Sequence, residues 1–306
     1  MFFVMLVSCT SQQSEVFQLQ FEHDLIPEGI AVDGNTDRVY LNSLKREKIV
    51  FSKVNGQNPA TFIDTREHGY LSGFGMTIKD DTLYALGNSL TKKRNSSVLL
   101  LLQLSTGHLI DSYSLNDGGF HYLNDLATSP KNNIFMTDSE SNRIYQIQRP
   151  FKNIELFMDS EEVSNSNGIA ISDDGDHLYL ASTKGIRIVA MDSKEIVNRP
   201  NEKYTGIDGL KFYGNNLYGI VNMFSNENGR NGLYKYTLNT AGTKIVNTEK
   251  PVTFEKDDII PTTFAIANGA FYFVANTQLD NFDEDKKAIV DPKRLQPYRL
   301  RKVPVE

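Results

Sequence analysis

The sequence predicts an all-β fold, a six-bladed β-propeller, on three observations. A short apolar stretch behind a small turn recurs six times. Each copy continues as short strands joined by tight turns. The last copy falls one strand short, and a strand-like segment stands before the first. A period of 40 to 50 residues marks a radial or solenoidal repeat, and four-stranded units set around an axis make a propeller.

The six copies begin at Glu28, Phe74, Asn124, Asn167, Asp208 and Thr262, spaced by 46, 50, 43, 41 and 54 residues. The first runs Glu28-Gly29-Ile30-Ala31-Val32 and the fourth Asn167-Gly168-Ile169-Ala170-Ile171. A polar turn follows, for example Asp33-Gly34-Asn35, Asp80-Asp81, Asp173-Asp174-Gly175 or Gly214-Asn215-Asn216. Such residues suit the positive φ of a tight hairpin. An apolar–aromatic pair comes next, as in Val39-Tyr40, Leu178-Tyr179 and Phe271-Tyr272, and then a polar position: Asn42, Asn88, Asp138, Asn222 or Asn276. A β-branched or aromatic strand closes the pattern, as in Ile49-Val50-Phe51 and Ile144-Tyr145-Gln146-Ile147. Each unit thus reads as three or four antiparallel strands. A parallel β-helix is disfavoured, since hairpin turns join the strands and the period is too long for one coil.

Val16 to Phe21 alternates like a strand yet precedes the first copy, and the last copy is followed by one strand candidate, Tyr298 to Val303. The N-terminal strand is therefore expected to complete blade six, which removes an open sheet edge. Residues 16–306 form one propeller domain, and residues 1–15 stand apart as a signal remnant and tether.

Apolar residues make up 40% of the chain and aromatics 10%, enough for a packed core. The net charge of −6 argues against a nucleic-acid surface. The basic run Lys92-Lys93-Arg94 falls in an expected loop. The stretch from Met1 to Val7 is apolar but too short to span a bilayer. It leads into Leu6-Val7-Ser8-Cys9, similar to a bacterial lipobox, so lipidation is expected at Cys9, the sole cysteine. The usual positive n-region is missing. The expected location is periplasmic or cell-surface, with membrane contact only through that anchor.

In a propeller, equivalent repeat positions sit on one ring about the axis. Glu28, Asn124, Asn167 and Asp208 would meet there, two carboxylates and two amides without His or Cys. Such a hard oxygen set favours Ca²⁺ and leaves positions for water or substrate oxygen. Taken one at a time, Asn or Asp before Gly is an ordinary turn former. The common register is what points to a metal site.

The chain resembles the gluconolactonase/SMP-30 (regucalcin) family and its six-bladed relatives, the diisopropyl-fluorophosphatase-like and paraoxonase-like hydrolases. The resemblance covers roughly residues 20 to 280. It rests on Pro27-Glu28-Gly29, Leu123-Asn124-Asp125-Leu126-Ala127, Ser166-Asn167-Gly168-Ile169-Ala170 and Ile207-Asp208-Gly209-Leu210. It implies that Glu28, Asn124, Asn167 and Asp208 bind a divalent metal, usually calcium or zinc, with Mg²⁺ a further candidate. It implies Asp208 as base or nucleophile. Two departures stand out. Tyr122 replaces an Arg that sugar-lactonase members often carry, and Phe74 replaces the paraoxonase His. Phe74, Tyr122 and Phe120 suggest an aromatic mouth, with His121 and Thr262 as further substrate contacts.

Two functions are consistent with this sequence. One is a metal-dependent hydrolase of a small lactone or ester. The other is a non-catalytic ligand- or protein-binding lipoprotein with a structural metal. A strictosidine-synthase-like propeller, which needs a mouth glutamate and no metal, is a third and weaker reading. An open metal site with Asp208 accessible would favour the first, and one sealed by Phe74 and Tyr122 the second.

Overall fold

The computed structural model describes residues 14–91, 96–150, 153–223 and 229–305. The lipobox and the Lys92-Lys93-Arg94 run lie outside the described residues. Six antiparallel sheets surround a central channel, and there is no α-helix among the described residues.

Blade one holds β2 (Ile30–Asp33), β3 (Arg38–Asn42), β4 (Ile49–Lys53) and β5 (Ala60–Ile63). Blade two holds β6 (Ser72–Lys79), β7 (Thr82–Asn88), β8 (Ser97–Gln103) and β9 (Leu109–Leu115). Blade three holds β10 (Leu123–Thr128), β11 (Ile134–Asp138), β12 (Arg143–Ile147) and β13 (Glu155–Asp159). Blade four has three strands, β14 (Ile169–Ile171), β15 (His177–Ser182) and β16 (Gly185–Ala190), with a lone bridge from Val189 to Ile196 outside them. Blade five holds β17 (Ile207–Tyr213), β18 (Asn216–Val221), β19 (Gly232–Leu238) and β20 (Ile245–Thr253).

Blade six closes the ring as expected. β1 (Glu15–Leu19) pairs with β25 (Tyr298–Pro304), which pairs with β22 (Ala270–Val274) and then β21 (Ala265–Ala267). Between β22 and β25 the chain makes an excursion carrying a small hairpin of β23 (Phe282–Asp283) and β24 (Ala288–Ile289). Asp80, Gly175, Gly214 and Asn215 take positive φ in the blade hairpins, as the turn chemistry predicts, whereas in the first hairpin Asp37 does so.

The core lies between blades. One apolar cluster joins Leu19 and Leu300 of blade six to Val39 and Leu41 of blade one, and another joins Leu86 and Leu99 of blade two to Leu126 and Met136 of blade three. Alternation along each strand puts one face against the preceding blade and the other against the next. The inner strands are thereby fixed around the channel.

Candidate functional site

All six first-register residues, Glu28, Phe74, Asn124, Asn167, Asp208 and Thr262, line one cavity of about 710 Å³. Two local devices present them. Phe74, Asn124 and Asp208 fall where strand pairing shifts register, between Gly73 and Met76, Leu123 and Leu126, and Ile207 and Leu210. A bulge of this kind re-aims a side chain. Glu28, Asn167 and Thr262 stand just before β14 or its counterparts β2 and β21, outside the pleat.

The glycine that follows most of these residues is not a turn residue, which corrects the single-residue reading. Gly29, Gly75, Gly168 and Gly209 are not among the positive-φ residues. Each lies against the next blade. A Cβ on Gly29 would collide with Phe74 O, one on Gly168 with Asp208 O, and one on Gly75 would come within 2.7 Å of Asn124 O. Glycine lets the inner strands approach closely enough to gather the ring. Blades three and six depart from this, with Asp125 and Thr263 at that position.

Three of the five residues of the polar band, Asn42, Asn88 and Asn222, fasten blade to blade. Asn42 accepts from Gly29 N at 2.8 Å and donates to Phe74 O. Asn88 accepts from Leu123 N and donates to Leu123 O, both at 3.0 Å. Asp138 stays within blade three, accepting from Tyr122 N at 3.1 Å. Asn276 serves blade six, accepting from Arg299 N at 2.8 Å. Asn222 does double duty: its Nδ2 donates to Pro261 O at 3.0 Å and to Asp208 Oδ2 at 2.6 Å, and it lines the cavity.

The carboxylates carry the electrostatics. Burial pushes Glu28 well above the usual carboxylate range, and the negative Asp208, Asp125 and Glu284 add to it while Lys211 opposes. Burial pushes Asp208 up to about 7, against hydrogen bonds from Asn222 and Asn167 and with the charge of Asp125 adding to the rise. Lys211, the one neighbouring cation among these causes, is committed to Asp125 at 3.0 Å.

This donor set fits a hard divalent cation. Two acids meet with too little positive charge beside them, and an ion would bring what is lacking. Asn124 gives its Nδ2 to Ser139 Oγ at 3.1 Å, which leaves Oδ1 as its ligand atom. Asn167 would present Oδ1 in place of the amide hydrogen it gives Asp208. Among the described residues no three of His, Cys, Asp and Glu gather as metal ligands. An ion here would therefore rest on amide oxygens as much as on carboxylates.

Of the expected substrate contacts, Phe74 and Tyr122 pack with ring centroids 5.1 Å apart, both on the cavity wall, and Phe120 lies against Tyr122 at 4.9 Å. Thr262 faces the cavity while its Oγ1 donates to Glu28 O at 2.7 Å, tying blade six to blade one. His121 is placed otherwise. It is buried and not among the cavity-lining residues. Its Nδ1 meets Asp138 Oδ2 and its Nε2 meets Asp117 Oδ1, each at 2.8 Å. Two acids on the imidazole outweigh its burial and raise its pKa, so it braces the loop before Tyr122.

Sequence reasoning missed the excursion of blade six, whose Leu279, Asp280, Phe282 and Glu284 form one side of the cavity. The available signal was length: 23 residues separate β22 from β25, with Leu279 and Phe282 placed among polar neighbours.

The family model for the SMP-30/Gluconolactonase/LRE-like region matches residues 26–216. No curated protein matches the chain by sequence. Among solved structures, a luciferin-regenerating enzyme is similar at 14% identity and TM-score 0.62, with 95% of each chain covered. A gluconolactonase from Xanthomonas campestris is similar at 13% identity and TM-score 0.58, covering 95% of this chain and 90% of that one. Virginiamycin B lyase from Staphylococcus aureus is similar at 17% identity and TM-score 0.59, with 85% and 81% covered. At such identities these structures speak for the fold.

Proposed function

Because the chain belongs to the SMP-30/Gluconolactonase/LRE-like family, we propose that it is a divalent-cation-dependent hydrolase of a lactone or ester, with calcium as the first candidate ion. The observation that carries this is the meeting of Glu28, Asn124, Asn167 and Asp208, from four blades, on the wall of one cavity. A bound cation would supply Lewis-acid polarisation of the substrate carbonyl oxygen.

The chain's own groups would do the rest. Asn222 engages Asp208 Oδ2, and Oδ1 would be left for chemistry once Asn167 presents its amide oxygen to the cation. There it takes a proton from water as the water oxygen bonds to the carbonyl carbon. When the ester C–O bond breaks, Asp208 returns that proton to the departing alkoxide. Burial raises this carboxyl in the cation-free chain, and a bound cation would lower it again, which would keep Asp208 ionised as the proton acceptor near neutral pH. Direct attack by Oδ1 on the carbonyl carbon is the other route open to the same residue. Leu44, Phe74, Tyr122 and Phe282 offer apolar walls for the remainder of a small substrate.

Room distinguishes this from a sealed structural ion. A cavity of about 710 Å³ with both acids on its wall has space for a ligand beside the cation. The deciding experiment is hydrolysis of a panel of lactones and aryl esters, with and without EDTA, by wild type and Asp208→Asn. Turnover that EDTA abolishes and calcium restores supports the reading. Tight calcium binding with no turnover across the panel would leave a non-catalytic propeller. The Leu6-Val7-Ser8-Cys9 motif supports a lipid-anchored, periplasmic or cell-surface placement, and intact-mass measurement of the native protein tests lipidation at Cys9.

A further inference from the structure

The excursion of blade six gives the cavity a wall that the repeat does not. Its Phe282 packs in the apolar cluster that contains Leu44 and Phe74. Its Lys287 makes an ion pair with Glu47 of blade one. Its Glu284 accepts a hydrogen bond from Tyr122 Oη at 3.3 Å, beside the ring of Phe74. The excursion is thus held to blades one, two and three at the mouth.

The cavity is one-sided in charge. Glu28, Asp208, Asp280 and Glu284 line it, and no Lys, Arg or His is among its described lining residues. Three of the four acids have an answer. Asp280 pairs with Arg294, and a divalent cation would meet Glu28 and Asp208. Glu284 is different. It is exposed at the rim, the charges that act on it, Glu140 and Asp285, are acidic too, and the hairpin's own Lys286 and Lys287 pair with Asp283 and Glu47. An anionic substrate would meet like charge here. A positive group would meet a carboxylate next to aromatic faces, which also attract cations.

We propose that Glu284 is a specificity-determining residue that selects lactones or esters carrying a positively charged amino group and turns anionic ones away. This rests on the hydrolase reading and adds the substrate class to it.

The test is calorimetric binding, with calcium supplied, of three γ-lactams that differ only in a trimethylammonio, acetamido or carboxylate substituent. Lactams resist hydrolysis, so binding is read apart from turnover. In wild type the trimethylammonio lactam is expected to bind roughly fivefold tighter than the acetamido one, the upper range for a rim-exposed ion pair. The carboxylate lactam should bind weakest, and added salt should compress the series. Glu284→Gln should bind the cationic and neutral lactams alike. Equal binding of the cationic and anionic lactams in wild type overturns the proposal. So does a preference that survives in Glu284→Gln, or no binding by any of the three. Hydrolysis of the matching lactones is measured separately. A charge preference in binding without turnover sinks the hydrolase reading alone, and turnover without a charge preference sinks this one alone.

Discussion

Lys211 Nζ lies 3.0 Å from Asp125 Oδ2, an ion pair that reaches from blade five to blade three. Asp125 directly follows Asn124 on β10, and Lys211 lies three residues beyond Asp208 on β17. Asp125 raises the pKa of Glu28 and of Asp208, while Lys211 lowers that of Glu28. Lys211 also lines a smaller cavity of about 210 Å³ with Val32, Ile78 and Phe264, further along the same strands. The pair therefore stands between the two ends of the channel.

Lys211→Met strands Asp125 beside two other acids. Removing one partner of a largely buried pair costs about 3 kcal/mol. Urea denaturation should show a loss of that order, and Asp125→Asn in the same chain should recover most of it. A double variant no more stable than the single one would show that the lost charge balance is not the cause.

Stability of the cation-free protein should fall as pH rises from about 4 to 7. The folded pKa of Asp208 lies above its ordinary value of 3.8, at about 7. In that window the native state holds the proton more tightly than the unfolded chain, so raising the pH favours unfolding. The contribution is on the order of 4 kcal/mol. Denaturation in EDTA at several pH values should show a shallower loss for Asp208→Asn than for wild type. Calcium at a hundred times its dissociation constant should add about 2.7 kcal/mol to wild type at neutral pH.

Asp208→Asn and Asn124→Ala should separate holding the ion from using it. The first keeps an oxygen donor but loses a charge and the proton acceptor. Turnover on the best substrate should drop by roughly a thousandfold, the scale of a lost general base, with cation binding weakened less. The second removes a ligand oxygen while leaving Asp208, so calcium titration should show the greater loss of affinity. Full EDTA-sensitive turnover by Asp208→Asn would end the catalytic assignment.

Asn42→Ala should be costly although it touches no substrate. The side chain is fully buried and serves Glu28 N, Gly29 N and Phe74 O at once. Leaving such groups unpaired costs about 2 to 4 kcal/mol. Asn42→Asp keeps the acceptor but turns a buried carboxylate oxygen toward Phe74 O, so its melting temperature at neutral pH should fall at least as far as that of Asn42→Ala.

The ring of six was legible because a repeat carries its register into space. Equivalent positions meet wherever equivalent blades surround one axis, so Glu28 and Thr262 could be placed together without any local clue. The role of the glycines was not legible. Asn-Gly and Asp-Gly read alike as a turn or as a close approach, and only the neighbouring blade decides between them. His121 adjoined the mouth in sequence, but its partners Asp117 and Asp138 draw it into the wall. The excursion with Phe282 and Glu284 had no counterpart in other blades, so comparison of repeats could not place it.

The pairing of β1 with β25 sets an order of events in synthesis. Glu15 and its partner Lys302 are 287 residues apart. At ribosomal rates, β1 is made roughly 15 to 60 s before β25. Blades one to five are built from consecutive strands and can assemble as they emerge. The ring cannot shut until the C-terminal strand is free. For that interval the nascent chain offers unpaired strand edges, and it is then that association between chains competes with closure.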